Sequence, residues 1–105
     1  MLACTVDPKG GDHYTCLNRA LDQNDVDAAI VATPHHVSNS VTTELMARGL
    51  HVYQEKPISR TVEGGRELIA ARPDGVVLAI GENGGAWGQM ARAHRLAKRL
   101  SLIHI

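Results

Sequence analysis

A glutamate and a lysine stand at the end of a short alternating run near the middle of the chain. The run HVYQ at residues 51–54 is followed at once by Glu55, Lys56 and Pro57. Exposed turns are more often made by Asn, Gly and Asp, so this order indicates a lysine presented at the end of a strand. An amine there could exchange a proton with a bound ligand. Lys56 is therefore the candidate catalytic residue, and the alternative is an ordinary surface lysine.

The elements that would position this lysine alternate between strands and helices. Short runs predict strands at residues 2–6, 28–32, 51–54 and 76–80. Helical periodicity predicts helices at residues 14–23, 38–48, 61–72 and 86–99. Apolar runs without polar alternation are typical of strands buried on both faces of a parallel sheet. The alternation of strands and helices therefore predicts an α/β fold with right-handed crossovers.

Unusual residues follow three of the predicted strands. They are TPHH at 33–36, EKP at 55–57 and GEN at 81–83. In open α/β sheets ligands bind beyond the carboxyl ends of the strands. The three segments therefore predict one ligand-binding edge.

Capping residues set the expected ends of two helices. Ser38, Asn39 or Ser40 is expected to cap the second helix, and Gly49 to end it. Thr61 is expected to cap the third helix. The two glycines at 64–65 lie in its first turns and should weaken it by about 1 kcal/mol each relative to alanine.

Composition excludes several classes of protein. The 105 residues carry 11 basic and 11 acidic side chains, so the formal net charge is zero. That balance argues against a nucleic-acid or membrane-surface partner, and no apolar run approaches the roughly 18 residues of a membrane span. Cys4 and Cys16 are too few for a disulfide framework, which predicts a cytoplasmic location. His35 and His36 lack the spacing of a zinc site, so no metal site is predicted.

Three motifs together resemble one family. The sequences DVDAAIVATP, HVYQEKPIS and VVLAIGEN are similar, in order and spacing, to the dinucleotide-binding half of Gfo/Idh/MocA oxidoreductases. The resemblance covers roughly residues 25–95. It implies a partial Rossmann-like, doubly wound parallel sheet of about four strands, truncated at the N-terminus and lacking the α+β substrate domain. Residues 1–97 would form this partial dinucleotide-binding domain.

The resemblance also implies roles for residues at the predicted edge. The residues matching Thr33 and Pro34 line the nicotinamide-ribose side of the cleft. Those matching Glu55 and Lys56 flank the nicotinamide, and the lysine hydrogen-bonds the reacting oxygen of a sugar-like substrate. Glu55 would orient the lysine or the ribose. The bond between Lys56 and Pro57 would be cis.

Four further residues are candidates for cofactor contacts. Thr5 falls where members that prefer NAD carry an acidic residue for the ribose 2′-hydroxyl, and Asp7 follows two positions later, so NAD and NADP both remain open. His35 would belong to a polar edge beside the cofactor. Asn83 would either cap a helix or contact the nicotinamide side.

The activity implied by the resemblance is hydride transfer between NAD or NADP and a sugar, polyol or similar hydroxyl substrate, in a parent protein that forms a homo-oligomer. The alternative is a non-catalytic, dinucleotide-sensing regulator of the same family. The 105 residues contain no G-x-G-x-x-G phosphate loop, so the chain alone is expected to be an inactive fragment.

The last residues, 98–105, end in SLIHI. This ending resembles the translation of a sequencing adapter. Residues from about 98 onwards are therefore expected to be non-native, and a longer gene that continues through SLIHI would contradict this.

Overall fold

The computed structural model describes residues 4–7, 9, 14–82, 92, 93, 95 and 96. The elements in chain order are α1 (Leu17–Gln23), β1 (Ala28–Val31), α2 (His35–Ala47), β2 (His51–Gln54), α3 (Val62–Ala70) and β3 (Leu78–Ile80). The predicted α/β class and the alternation of strands with helices are confirmed.

The strands found in the described residues form one parallel sheet in the order β1-β2-β3. Val31, Gln54 and Ile80 share its last row. The ladder continues one residue further, because the Glu55 N–H donates to the Val31 carbonyl at 2.8 Å and the Gly81 N–H to the Gln54 carbonyl at 2.8 Å. The carboxyl ends of the three strands are therefore level and meet at one edge, as predicted.

One face of the sheet carries the core. Side chains alternate between the two faces along a strand, and Val52 and Gln54 are buried whereas His51 and Tyr53 are exposed. The buried apolar cluster on the helix side consists of Val31, Leu45, Met46, Leu50, Val52, Leu68 and Val76, so α2 and α3 contribute to it, and partly buried side chains of α1 and α2 pack against it. On the opposite face Ile30 is 77% exposed. The three helices therefore cover one face of the sheet.

Helix α2 begins three residues earlier than predicted. Its first residue is His35 and its N-cap is Pro34, with no side-chain cap bond. The expectation that one of residues 38–40 caps the helix is wrong. The Ser38 hydroxyl instead donates to the carbonyls of Thr33 (2.9 Å) and Pro34 (3.1 Å). A proline has no N–H to leave unsatisfied and its fixed φ suits a helix start, so the helix begins directly after it.

The predicted signals at Thr61 and Gly49 are confirmed. The Thr61 hydroxyl accepts a bond from the Gly64 N–H at 3.1 Å. Gly49, with φ +85, follows α2, and Gly75, with φ +82, lies in the turn after α3. Gly64 has a second role, because a Cβ there would lie 2.6 Å from the Ser59 Oγ. A larger residue at position 64 would therefore gain helix propensity but would displace the Ser59 side chain.

The predicted strand at 2–6 is not part of the sheet in the described residues. Val6 forms an isolated parallel bridge with Tyr14, and the Asp7 N–H donates to the Tyr14 carbonyl at 2.8 Å. In the doubly wound strand order 3-2-1-4-5-6, the first strand separates the second from the fourth. The strand with the Gly-rich turn is not among these 105 residues. Residues 4–6 therefore have no neighbouring strand that links them to β1, and the described sheet has three strands instead of about four.

Several predictions concern residues that are not described. Of the helix predicted at 86–99, residues 92, 93, 95 and 96 are helical. Asn83 and the tail at 98–105 lie outside the described residues. None of the described helices is long and apolar enough to cross a membrane.

Candidate functional site

Three segments lie side by side where the strands end. They are residues 33–35 after β1, 55–57 after β2 and 81–82 after β3, and we call them the rim. The parallel register brings these segments together from positions far apart in the sequence. The rim contains six of the predicted site residues, namely Thr33, Pro34, His35, Glu55, Lys56 and Pro57.

The lysine and the glutamate of the rim are both exposed. The Lys56 backbone N–H donates to the Glu55 Oε2 at 3.2 Å. The ion pairs found among the described residues join Arg48 to Asp22 and Glu44 instead. Glu55 therefore contacts the backbone of Lys56, and this bond can orient the loop that carries the amine. The Lys56-Pro57 bond is cis, as the resemblance implied.

A buried glutamine anchors this loop. Gln54 is fully buried, and its Nε2 donates to the carbonyls of Pro57 (3.3 Å) and Ile58 (3.1 Å). Its Oε1 accepts a bond of 2.7 Å from the Thr42 hydroxyl on α2. The sequence prediction missed both Gln54 and Thr42. The available signal was a polar amide at a core-facing position of an alternating strand.

The first rim segment is fixed to the start of α2. The hydroxyls of Thr33 and Ser38 lie 3.1 Å apart, and Ser38 also binds the carbonyls of Thr33 and Pro34. Ser38 is buried, whereas Pro34 and His35 are exposed. The segment therefore has a fixed backbone and presents exposed side chains at the edge.

At the first residue of the third rim segment, a side chain would displace two neighbouring side chains. A Cβ on Gly81 would lie 2.8 Å from the Tyr53 hydroxyl and 3.1 Å from the Glu55 Oε1. Tyr53 and Glu55 are two residues apart on β2 and its extension, so both project from the sheet face opposite the core. Sequence reasoning did not find Gly81 or Tyr53 as neighbours of the glutamate, because their proximity depends on the register between β2 and β3.

Three predicted site residues are not on the rim. Thr5 and Asp7 belong to the segment that bridges to Tyr14, where the Tyr14 N–H donates to the Thr5 carbonyl at 3.0 Å. The Asp7 Oδ1 accepts a bond of 2.8 Å from the backbone N–H of Lys9. Asn83 follows the third rim segment but lies outside the described residues. In the part of the chain that is described, no cluster of three or more His, Cys, Asp or Glu side chains could hold a metal ion.

A parallel sheet with helices between its strands and polar segments at its carboxyl edge defines the class of nucleotide-binding α/β domains. The model of the family GFO_IDH_MocA, described as an oxidoreductase family with an NAD-binding Rossmann fold, matches residues 4–82. The chain belongs to this family, which confirms the resemblance.

Relatives of known activity match over part of their length. The chain is 38% identical over 69 residues to 1,5-anhydro-D-fructose reductase of Ensifer adhaerens, covering 65% of this chain and 21% of that protein. It is 26% identical over 95 residues to inositol 2-dehydrogenase of Arthrobacter sp. (strain FB24), covering 83% of this chain and 28% of that protein. The chain therefore spans between a fifth and a third of these relatives.

Solved structures share the fold. GenD2 from gentamicin A biosynthesis, in complex with NAD, aligns with a TM-score of 0.80 and 32% identity over 92% of this chain and 31% of that one. The WlbA dehydrogenase from Bordetella pertussis, in complex with NADH and UDP-GlcNAcA, aligns with a TM-score of 0.70 and 25% identity over 81% of this chain and 26% of that one. The three-stranded sheet is thus part of a Rossmann fold.

The rim suits one half of a nicotinamide dinucleotide. The Thr33 hydroxyl and the Glu55 carboxylate are hydrogen-bonding groups for a ribose, and a side chain at Gly81 would press on that carboxylate. The pyrophosphate half needs a Gly-rich loop at a helix N-terminus, which these 105 residues do not contain. The residues present therefore fit the nicotinamide-ribose half alone.

Proposed function

We propose that this chain is the cofactor-binding part of a longer NAD(P)-dependent oxidoreductase, called here the full-length protein. The full-length protein would transfer hydride between the cofactor and a sugar, polyol or similar hydroxyl substrate. The observation that carries the proposal is the rim, where three level strand ends bring an exposed lysine, a hydroxyl and a carboxylate to one edge of the sheet. Relatives named as an anhydrofructose reductase and an inositol dehydrogenase support the substrate class.

Lys56 is the catalytic residue of this proposal. A bound nicotinamide ring would supply the hydride chemistry. The Lys56 amine would hydrogen-bond the substrate oxygen and exchange the hydroxyl proton. Glu55 would keep the loop in place through its bond to the Lys56 N–H. Pro57 is the last residue of this rim segment and would contact the cofactor. Thr33 and its two successors at 34–35 would line the ribose.

The remaining assignments extend the site beyond the rim. We assign Thr5 and Asp7 to the adenosine ribose, because a carboxylate in that region recognises the 2′-hydroxyl of NAD. We assign Asn83 to the nicotinamide side. Either NAD or NADP is compatible with the proposal, and comparison of the two cofactors in one assay decides between them.

The proposal includes the setting of the reaction. The substrate is a small sugar-like molecule, and neither nucleic acid nor membrane takes part. The full-length protein forms a homo-oligomer in the cytoplasm, where thiols such as those of Cys4 and Cys16, both free, stay reduced.

The test is a turnover assay of the full-length protein with NAD and NADP against a panel of polyols and reduced sugars. We expect reduced cofactor to accumulate with at least one substrate of this class. Cofactor binding without turnover of any hydroxyl compound would contradict the enzymatic proposal and favour the dinucleotide-sensing regulator.

A further inference from the structure

The central strand ends in a buried amide where an apolar residue would be expected. Gln54 occupies the last row of the sheet between Val31 and Ile80, and it is 0% exposed. Burying an amide is costly unless its hydrogen bonds are made. A valine or isoleucine would fill this row without that requirement, so the amide must be explained by what it binds.

The hydrogen-bond partners of Gln54 determine the orientation of its amide. The carbonyls of Pro57 and Ile58 can only accept, so the Nε2 must face them. The Oε1 then faces α2, and the Thr42 hydroxyl must donate to it at 2.7 Å. Thr42 is also 0% exposed, so this bond lies inside the core. The two loop carbonyls therefore fix which end of the glutamine points towards the loop, and the Thr42 hydroxyl supplies the donor that the other end needs.

The two carbonyls held by Gln54 belong to the residues directly after the lysine. On the other side of Lys56, the Glu55 N–H is bound to the Val31 carbonyl of β1. The lysine therefore lies between two anchors, one in the backbone ladder of the sheet and one in the buried side-chain network. The lysine itself is exposed, so these two anchors hold its backbone from below the rim.

We propose that Gln54, held by Thr42, is a positioning residue for Lys56. The pair fixes the backbone at 57–58 and thereby the point from which the amine reaches the substrate. This inference rests on the proposed role of Lys56. Neither Gln54 nor Thr42 touches the substrate in this proposal, because both are enclosed in the core.

The kinetic test uses the full-length protein and shape-conserving variants. Thr42→Val removes the hydroxyl at constant shape, and Gln54→Leu removes the whole network. We expect each to lower kcat by about 10- to 100-fold, the loss associated with misplacing a catalytic group by about 1 Å, with the KM for cofactor changed less than about twofold. Thr42→Ser keeps the donor and should retain turnover. Thr43→Val, at the exposed next residue of α2, is the matched control and should behave as wild type.

A second comparison separates positioning from general damage to the fold. In a Lys56→Ala background, Gln54→Leu should lower kcat by less than about twofold further, because two changes that act through one group are not additive. Unchanged kcat in Thr42→Val, or an equal loss from Gln54→Leu with and without Lys56, would overturn the positioning role.

Crystal structures of the variants test the positioning role directly, whatever the function of Lys56. In Thr42→Val and Gln54→Leu we expect the backbone of residues 56–58 to move by about 1 Å or more. A loop that stays in place overturns the positioning proposal whatever the kinetics. Wild-type turnover in Lys56→Ala would overturn the proposed role of the lysine instead, so the two failures are distinguishable.

Discussion

Replacing Lys56 with alanine is expected to lower kcat of the full-length protein by about 10²- to 10⁴-fold, the range found for loss of a general acid or base. The amine stands on an exposed edge beside the strand ends, where it would exchange a proton with the substrate oxygen. Affinity for the cofactor should change little, because the ribose contacts are assigned to residues 33–35. The measurement is steady-state turnover together with cofactor titration.

A matched control lies four residues along the chain. Arg60 is also cationic and exposed, and Arg60→Ala should leave kcat unchanged. Lys56→Arg should not restore turnover, because a guanidinium stays protonated and cannot take up the proton. If Lys56→Ala retains wild-type kcat, the lysine has no part in the chemistry.

The second large effect concerns stability. Leu68→Ala is expected to lower the free energy of unfolding by about 2–5 kcal/mol, as for other large-to-small changes in cores. Leu68 is 2% exposed and belongs to the buried cluster that also contains Val31 and Val52 of the sheet. Urea unfolding of the 105-residue chain, followed by circular dichroism, measures this change.

The neighbouring residue provides the control for that experiment. Ile69 is 58% exposed, so Ile69→Ala removes a side chain of similar size from the surface and should change the free energy of unfolding by about 0.5 kcal/mol or less. Equal losses from the two variants would show that α3 does not pack on the sheet through Leu68.

The sequence predicted the sheet because its signals are local. The uninterrupted apolar run that became β1 and the strand HVYQ that became β2 lie where they were expected, with Ala28–Val31 and His51–Gln54 as their bounds. Thr61 and Gly49 also act at the predicted helix ends. Such signals depend on a few neighbouring residues, whose preferences for helix ends can be recognised from the sequence alone.

The two errors have different causes, a competing local hydrogen bond in one and the lack of a partner strand in the other. Three consecutive polar residues at 38–40 were predicted as caps, but Ser38 binds the carbonyls of Thr33 and Pro34, and the helix begins at His35. The segment at 2–6 has the pattern of a strand, yet a strand forms only beside a partner. Val6 pairs with Tyr14 alone in the described residues.

Only the part of the site that depends on local sequence signals could be predicted. The rim follows from parallel strands and from the residues at their ends, so Lys56 and Glu55 were found from the sequence. Gln54, Thr42 and Gly81 were not, because their roles depend on a core contact between α2 and β2 and on the register of β3. Pattern alone indicates which way a side chain faces, but does not identify its partner.

The most direct measurement for the central proposal is a crystal structure of the full-length protein with NADH and a substrate analogue. We expect the nicotinamide-ribose half to lie on the rim, in contact with residues 33–35 and 55–57, and the Lys56 amine to face the reacting oxygen of the analogue. A dinucleotide seated away from the three strand ends, or a lysine directed away from the analogue, would contradict the proposal.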